Sequence, residues 1–289
     1  MPTTSPATLL IADCGATSGK WALVDRATGC ARRFVTGPVN PAVYNPSHIA
    51  ATLAEASGRL PMPPDAVAIY AAGAIGPGAQ MLAREAAAAF GLRIEAVSVD
   101  TDLAGAATAL FGTERGVACI LGTGSNTCLW SGSSIERNMR PMGYILGDEG
   151  SGAALGASML RMALRHRLAS PLAAAWAAAY PDLDYPSVVE AVYRRHEGSG
   201  YIASFVPFVA AHKDHPAIAA MIAATFRRFV EELSASYPEA GELPVRFTGG
   251  VAHAFGQELK EVAASYGIMV DMIVRDPLDM LVGRLLGRL

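Results

Sequence analysis

The segment DCGATSGKW, residues 13–21, indicates the fold class of this 289-residue chain. Apolar residues precede and follow it, so it predicts two strands joined by a glycine turn. It differs from a P-loop, because three residues instead of four separate Gly15 from Gly19 and because a strand, not a helix, follows. Such a turn can still hold phosphate through its N–H groups and the Thr17 hydroxyl, and Asp13 at the strand end can hold magnesium. An ordinary hairpin turn is the equal alternative.

A second glycine turn, LGTGSN at residues 121–126, also lies between two predicted strands. It again combines small residues with hydroxyl groups. Either turn taken alone is compatible with a simple hairpin. Two hydroxyl-bearing glycine turns in one chain favour phosphate binding over coincidence.

Asp102 lies in the segment DTDLAGAA, residues 100–107, where a predicted strand ends and a helix begins. Aspartate is a favoured residue at a helix N-cap, so capping is the simplest interpretation of this segment by itself. A carboxylate at a strand end that lines a cleft can also accept a proton from a substrate hydroxyl. The sequence leaves both roles open here.

The segment GYILGDEGSG, residues 143–152, places two adjacent carboxylates, Asp148 and Glu149, among four glycines just before a predicted helix. This composition is unusual for plain helix capping. Short acceptor groups beside an open, glycine-lined backbone suit the hydroxyl groups of a sugar. A further segment, TGGVA at residues 248–252, follows a strand and opens another helix.

Strands and helices alternate along the chain, which predicts an α/β fold. Hydrophobic residues make up 52% of the chain, charged residues 17%, and the net charge is −3, so nothing favours binding to nucleic acid or to an acidic membrane. No apolar run is long enough for a membrane helix, and the first residues do not resemble a signal peptide. The four cysteines form no C-x-x-C pair and predict reduced thiols in a cytoplasmic protein. The six histidines are interpreted as structural or solvent-facing.

Taken together and in their order along the chain, the five segments resemble those of the sugar kinases in the actin, hexokinase and heat-shock chaperone superfamily. The nearest resemblance is to the N-acetylglucosamine kinase group, in a family that also holds ATPase activators of 2-hydroxyacyl-CoA dehydratases. The resemblance implies an α/β, two-domain, duplicated ribonuclease H-like (actin-like ATPase) fold with an interdomain cleft. It divides the chain into domains 1–116 and 117–289, with ATP and Mg²⁺ as cofactors and an amino sugar as substrate.

The same resemblance assigns roles to individual residues. Asp102 corresponds to the catalytic base for the sugar 6-hydroxyl, and Asp13 to the residue that holds magnesium through water. The ATP-binding positions are Gly15, Ala16, Thr17, Lys20, Thr123, Gly124, Gly249 and Gly250. The sugar-binding positions, besides Asp102, are Asn40, Ser125, Asn126, Gly143 and Asp148.

Several of these roles have structural alternatives. Asn40 precedes a proline and is equally well explained as a turn residue, and Lys20 as a solvated lysine. Met142 stands where the group usually has tryptophan, which leaves N-acetylglucosamine, glucosamine and N-acetylmuramic acid open as substrates. Three further acidic residues are predicted to be surface or capping residues: Asp25, Asp276 and Asp279.

Two other functions are compatible with parts of the sequence. An ATPase activator of a dehydratase needs cysteines that hold an iron–sulfur cluster. Cys14, Cys119 and Cys128 all lie in predicted strands, so the sequence offers no evident set of cluster ligands. A non-catalytic sugar sensor with a DNA-binding helix-turn-helix would need room before Asp13, where the sequence offers little. A homodimer is the assembly that the family resemblance suggests.

Overall fold

The computed structural model describes residues 7–194 and 198–287 of the chain. Within these residues the strands form two five-stranded sheets. The strands are β1 (Thr8–Cys14), β2 (Gly19–Asp25), β3 (Ala31–Thr36), β4 (Ala66–Ala71), β5 (Val97–Thr101), β6 (Gly116–Leu121), β7 (Ser125–Trp130), β8 (Ile135–Met139), β9 (Val245–Thr248) and β10 (Val270–Val274).

The helices are α1 (Pro46–Gly58), α2 (Pro77–Phe90), α3 (Asp102–Phe111), α4 (Gly143–Leu146), α5 (Gly152–Leu164), α6 (Ser170–Ala179), α7 (Tyr185–Val189), α8 (Gly198–Ala203), α9 (Val206–Ala211), α10 (Pro216–Ser236), α11 (Gly250–Ala254), α12 (Gly256–Ala264) and α13 (Leu278–Leu285). Short 3₁₀ turns at Ile94–Ala96 and Pro238–Gly241 and a π-helical turn at Glu190–Arg194 complete the regular structure. The α/β class predicted from the sequence is confirmed. In the part of the chain described here, no helix has both the length and the apolar character needed to cross a membrane.

The first sheet has the order β3-β2-β1-β4-β5, in which β1 is antiparallel to β2 and parallel to β4. Because side chains alternate along a strand, β1 serves two cores. Leu10 points into a core with Trp21 and Phe90, which packs against α1 and α2. Leu9 and Ile11 point to the opposite face of the sheet.

The second core of this sheet explains the position of the C-terminal helix. Leu278, Leu281 and Val282 of α13 are buried and pack against the β1 face that carries Leu9 and Ile11. The chain therefore divides into one unit that contains the described parts of residues 1–118, 130–136 and 276–289, and another that contains residues 119–129 and 137–275. The sequence-based division at residue 116 assigned α13 to the other domain. The difference arises because apolar contacts, not chain order, determine where this helix packs.

The second sheet has the order β10-β9-β6-β7-β8, with β9 and β10 parallel. Its core is rich in aromatic residues. Phe229 of α10 packs on Phe247 of β9 with ring centroids 5.9 Å apart, and Phe226 packs on Phe255 at 6.2 Å. All four rings are fully buried. This packing fixes β9, and with it the glycine pair that follows the strand.

Candidate functional site

The predicted hairpin around residues 13–21 is present. Asp13, near the end of β1, pairs with Lys20 of β2 in the antiparallel register. The turn is closed by a hydrogen bond from the Gly15 N–H to the Ser18 carbonyl oxygen, at 3.0 Å. No atom lies within 4 Å of the position that a Cβ would take at Gly15. Thr17 is exposed. The turn is therefore open to a ligand.

Other residues of the hairpin have structural roles. A Cβ at Gly19 would lie 3.0 Å from the Cys14 sulfur and 3.1 Å from the Thr36 hydroxyl. The same hydroxyl accepts a hydrogen bond from the Trp21 indole N–H at 2.9 Å. Gly19 is thus required by close packing, and Trp21 anchors the hairpin in the core.

Asp102 is the first residue of α3, but it does not cap the helix. Thr101 is the N-cap, since its hydroxyl accepts a hydrogen bond from the Ala104 N–H at 3.1 Å. The Asp102 carboxylate accepts a local hydrogen bond from the Leu103 N–H, at 2.9 Å. Burial raises the pKa of Asp102 to about 6, and the backbone N–H groups of Leu103 and of Asp102 itself partly oppose this rise. The carboxylate is thus poised to accept a proton near neutral pH.

A cluster of charges surrounds Asp13. Burial raises the pKa of Asp13 to about 7, Lys20 lowers it, and the carboxylates of Asp276 and Asp102 raise it further. The Lys20 ammonium lies 2.8 Å from an Asp276 oxygen. The first unit therefore brings together three carboxylates and one ammonium group. Asp276 is exposed and accepts a hydrogen bond from the Leu278 N–H at 3.0 Å beside the start of α13, in keeping with the surface or capping position predicted for it. Its ion pair with Lys20 was not predicted.

The second glycine turn, residues 121–126, rests on the first turn of α5. The Gly122 N–H bonds to the Gly124 carbonyl oxygen at 3.0 Å, which closes the turn. The Gly122 carbonyl oxygen accepts from the Gly152 N–H at 2.8 Å, and the Thr123 carbonyl oxygen from the Ala153 N–H at 3.0 Å. Backbone groups of α5 thus fix the turn that the sequence predicted to bind phosphate.

Asp148 connects this turn to the segment 143–152. Its carboxylate accepts a hydrogen bond from the Ser125 N–H at 3.2 Å. A Cβ at Gly124 would lie only 2.9 Å from the other carboxylate oxygen. Asp148 has φ 57°, a left-handed conformation that aspartate and asparagine tolerate better than most residues. Burial raises the pKa of Asp148, the Ser125 N–H lowers it and the nearby Glu149 raises it.

The two asparagines predicted to contact sugar both use their side-chain oxygens within the protein. Asn40 accepts from the Ala42 N–H at 2.9 Å. Asn126 accepts from the Thr127 N–H at 3.0 Å and from the Asn138 amide at 2.9 Å. These bonds fix the orientation of both side chains.

The two glycines after β9 differ in their surroundings: Gly249 is closely packed and Gly250 is open. Gly249 has φ 117°, and a Cβ there would lie 2.3 Å from the Leu121 carbonyl oxygen. Its N–H bonds to the Val274 carbonyl oxygen at 3.1 Å. Gly250 begins α11 and has no atom within 4 Å of its Cβ position, and the same is true of Gly143.

The carboxylate of Asp13 fits a magnesium ion that is held largely through water and phosphate oxygens. Among the residues that the structure describes, no group of three or more His, Cys, Asp or Glu side chains is arranged to hold a metal ion. Magnesium commonly keeps several waters and uses one or two protein carboxylates together with substrate phosphates. Asp13, which is kept from full ionisation by burial and by two neighbouring carboxylates, is the side chain whose charge such an ion would stabilise.

The fold and these glycine turns define a member of the superfamily of sugar kinases and actin-like ATPases. Residues 12–284 match the BadF/BadG/BcrA/BcrD ATPase family, and the chain belongs to that family.

Solved structures extend the comparison. A Porphyromonas gingivalis protein, provisionally assigned as an N-acetylglucosamine kinase, is 31% identical, with a TM-score of 0.87 over 96% of this chain and 99% of that one. A Chromobacterium violaceum protein with the same provisional assignment is 24% identical, with a TM-score of 0.69 over 96% and 99%. A Streptomyces griseus glucokinase of the ROK family, solved with glucose and AMPPNP, is 19% identical, with a TM-score of 0.51 over 95% and 97%. The latter two similarities concern the fold. No curated protein matches the sequence significantly.

Proposed function

We propose that this protein is an ATP-dependent kinase that phosphorylates the 6-hydroxyl of an amino sugar, with N-acetylglucosamine as the first candidate. The observation that carries the proposal is the Asp102 carboxylate. Thr101, not Asp102, caps α3, and the pKa of Asp102 is raised to about 6. The supporting comparison is the Porphyromonas gingivalis protein, which aligns over 96% of this chain.

In the proposed reaction, Asp102 accepts the proton of the sugar hydroxyl as the hydroxyl oxygen attacks the γ-phosphorus of ATP. The new bond joins the sugar oxygen to phosphorus, the bond to the β,γ-bridging oxygen breaks, and ADP leaves. Phosphoryl transfer depends mainly on positioning and on stabilising the charge of the transferred group. A well-placed base contributes roughly 10²–10⁴-fold to the rate of such a step.

The two glycine turns are the proposed phosphate-binding elements. In the first turn the exposed backbone of Ala16 and the exposed hydroxyl of Thr17 are available to phosphate oxygens. The Gly15 N–H is used within the turn, and Gly15 is proposed to leave room for phosphate because no atom lies within 4 Å of its Cβ position. In the second turn the proposed phosphate contacts are the Thr123 hydroxyl and the backbone of Thr123 and Gly124. Magnesium, when bound, neutralises phosphate charge, and Asp13 is the residue proposed to hold it through water. The pair Gly249 and Gly250 is proposed to contact adenosine, and Lys20 to contact phosphate.

The proposed sugar contacts in the second unit are concentrated around Asp148, whose carboxylate is oriented by the Ser125 N–H. Asn126 and Gly143 complete this set. Asn40 and Asp102 are proposed as further sugar contacts. Glucosamine and N-acetylmuramic acid carry the same 6-hydroxyl and remain alternative substrates. A homodimer and a cytoplasmic location complete the proposal, and both come from the sequence resemblance and the cysteine usage.

The test is a sugar-dependent release of ADP. The purified protein, with ATP and magnesium, would be given N-acetylglucosamine, glucosamine, N-acetylmuramic acid, N-acetylmannosamine or glucose, with Asp102→Asn as the control. We expect release that depends on one amino sugar and that is lost in the variant. Release of equal size without any sugar would contradict the kinase proposal. It would favour an ATPase activator, a function for which the family match is the supporting observation.

A further inference from the structure

A cavity of about 330 Å³ lies in the second unit, between α5 and α10. Residues three or four apart on a helix share one face, and this spacing forms both walls. Ala157 and Arg161 belong to the wall from α5, and Ala224 and Arg228 to the wall from α10. The small side chains leave the space open, and each wall carries one arginine. Part of the segment 143–152, which holds the proposed sugar ligand Asp148, forms a further side.

The two arginines have unused hydrogen-bonding capacity. Arg161 donates one hydrogen bond, to the Ser158 hydroxyl at 2.9 Å, which orients its guanidinium group. Within residues 7–194 and 198–287, no carboxylate lies within 4 Å of the guanidinium of Arg161 or Arg228. Other exposed arginines do pair, as Arg33 does with Asp279. A guanidinium has five N–H donors in a planar arrangement that matches carboxylate and phosphate oxygens.

The local field favours an anion at these arginines. Burial lowers the pKa of Arg161, and the positive charges of Arg228 and Arg165 lower it further. Two positive charges therefore act on Arg161, and an anion between Arg161 and Arg228 in the cavity would offset the repulsion between these two groups. The cavity also contains one carboxylate, Glu149, which precedes α5. In the described part of the chain Glu149 forms no ion pair within 4 Å with either arginine.

We propose that this cavity binds the oxyanion of a small sugar-sized molecule, with Arg161 and Arg228 holding the phosphate or carboxylate group. The apolar alanine walls suit the carbon skeleton of such a molecule. Two sources share this chemistry: a sugar phosphate that binds as a separate ligand, and an acidic substituent of the sugar substrate itself. The choice of a sugar body rests on the proposed function, whereas the anion site rests on the arginines alone.

The test is calorimetric titration of the protein without ATP. The probes are N-acetylglucosamine 6-phosphate, inorganic phosphate and N-acetylmuramic acid, with neutral N-acetylglucosamine as reference. We expect at least one of the three anions to bind saturably. The double variant Arg161→Gln with Arg228→Gln should weaken that binding at least tenfold. The matched control is Arg227→Gln, which changes an exposed arginine of α10 outside the cavity walls and should alter binding less than twofold.

Further variants separate the two sources and guard against misfolding. Ala224→Met fills the cavity without changing any charge and should also weaken binding. If Asp148→Asn weakens N-acetylmuramic acid binding together with the arginine variants, the oxyanion belongs to the substrate. If phosphate or sugar phosphate binding depends on the arginines and is unaffected by Asp148→Asn, the ligand is separate.

Two results would overturn the anion site: no saturable binding of any of the three anions, or equal binding by the wild-type protein and the double arginine variant. Failure of the kinase proposal would look different. The wild-type protein would then transfer no phosphate to any sugar, while anion binding by the cavity would persist. Asp102→Asn should likewise lose transfer and keep anion binding.

Discussion

The ammonium group of Lys20 lies 2.8 Å from a carboxylate oxygen of Asp276, although the two residues stand near opposite ends of the chain. The other Asp276 oxygen accepts a hydrogen bond from the Leu278 N–H at 3.0 Å, at the start of α13. Asp276 therefore ties the last helix to the first hairpin and balances the one ammonium of the Asp13 cluster. The pair also positions Lys20 beside the turn that is proposed to bind ATP phosphates.

Variants of this pair should separate binding from stability. Lys20→Met removes a positive charge beside the proposed phosphate site, and we expect the KM for ATP to rise about tenfold, which corresponds to about 1.4 kcal/mol. Asp276→Asn keeps an acceptor for the Leu278 N–H and leaves Lys20 positive, so the KM for ATP should stay the same or fall. Both side chains are about one-third or more exposed, so each variant should lower the free energy of unfolding by less than about 1 kcal/mol. Steady-state kinetics and thermal unfolding would measure both quantities. Equal increases in KM for the two variants would argue that the pair is only structural.

Asp102→Asn should abolish activity and stabilise the fold. Loss of the proposed base should lower kcat by roughly 10²–10⁴-fold. The same change removes a buried carboxylate whose pKa is raised from 3.8 to about 6, while an amide oxygen can still accept from the Leu103 N–H. We expect the free energy of unfolding at pH 7 to rise by about 1–3 kcal/mol. Unchanged kcat in this variant would exclude Asp102 as the base.

Titration of Asp102 should make both the free energy of unfolding and kcat/KM depend on pH in a definite direction. Its raised pKa means that the folded state holds a proton more tightly than the unfolded state between about pH 4 and pH 6. The cost of the buried charge is absent below that range, grows through it and is fully present above about pH 6. The stability gain of Asp102→Asn should therefore disappear as the pH falls to 4. In the wild-type protein, kcat/KM should fall on the acid side as Asp102 is protonated near pH 6. A kcat/KM profile that is flat from pH 5 to 8 would contradict this assignment.

The difference between Asp102 and Asp276 shows how far the sequence could predict the site. The place of Asp102 at the start of α3 followed from a local strand-to-helix pattern. That pattern left capping and proton acceptance both open, and the proposed role as base came from the family resemblance. Asp276 acquires its partner only when α13 packs on the first sheet through Leu278 and Leu281. Apolar periodicity predicts that such a helix exists but does not determine which sheet it covers. The assignment of this helix to the second domain has this cause, and so does the unpredicted ion pair of Asp276 with Lys20.

The glycine turns show the same limit on a smaller scale. Both turns and their flanking strands followed from local patterns and are present as predicted. The contact of Asp148 with the Ser125 N–H and the close approach of Gly249 to Leu121 depend on separate segments meeting in space. The sequence marked both Gly249 and Gly250. Only the packing shows that Gly249 is required by a close backbone contact, whereas the Cβ position of Gly250 is open.

Asp148→Asn should weaken sugar binding without disturbing the fold. Asparagine tolerates the left-handed backbone at this position, φ 57°, and its side-chain oxygen can accept the Ser125 N–H. The lost charge weakens hydrogen bonds to sugar hydroxyls, each worth about 1.5–3 kcal/mol with a charged partner. We expect the KM for sugar to rise roughly 10–100-fold with little change in the KM for ATP or in the melting temperature. Asp148→Ala is the structural control, since it also loses the acceptor and should lower the melting temperature. Normal sugar KM in both variants would remove Asp148 from the sugar site.

The two adjacent glycines after β9 allow a matched test of the proposed adenosine contact. A Cβ at Gly249 would collide with the Leu121 carbonyl oxygen at 2.3 Å, and its φ of 117° is unfavourable for alanine, so Gly249→Ala should destabilise the protein by at least about 3 kcal/mol. Gly250→Ala meets no atom within 4 Å and places a better helix former at the start of α11, so its melting temperature should be unchanged or slightly higher. If adenosine approaches the backbone at Gly250, its methyl group will still raise the KM for ATP several-fold. A Gly250→Ala enzyme with wild-type stability and wild-type KM for ATP would show that the nucleotide does not approach the backbone there. In that case the pair would serve only the packing of β9 against the turn that contains Gly122.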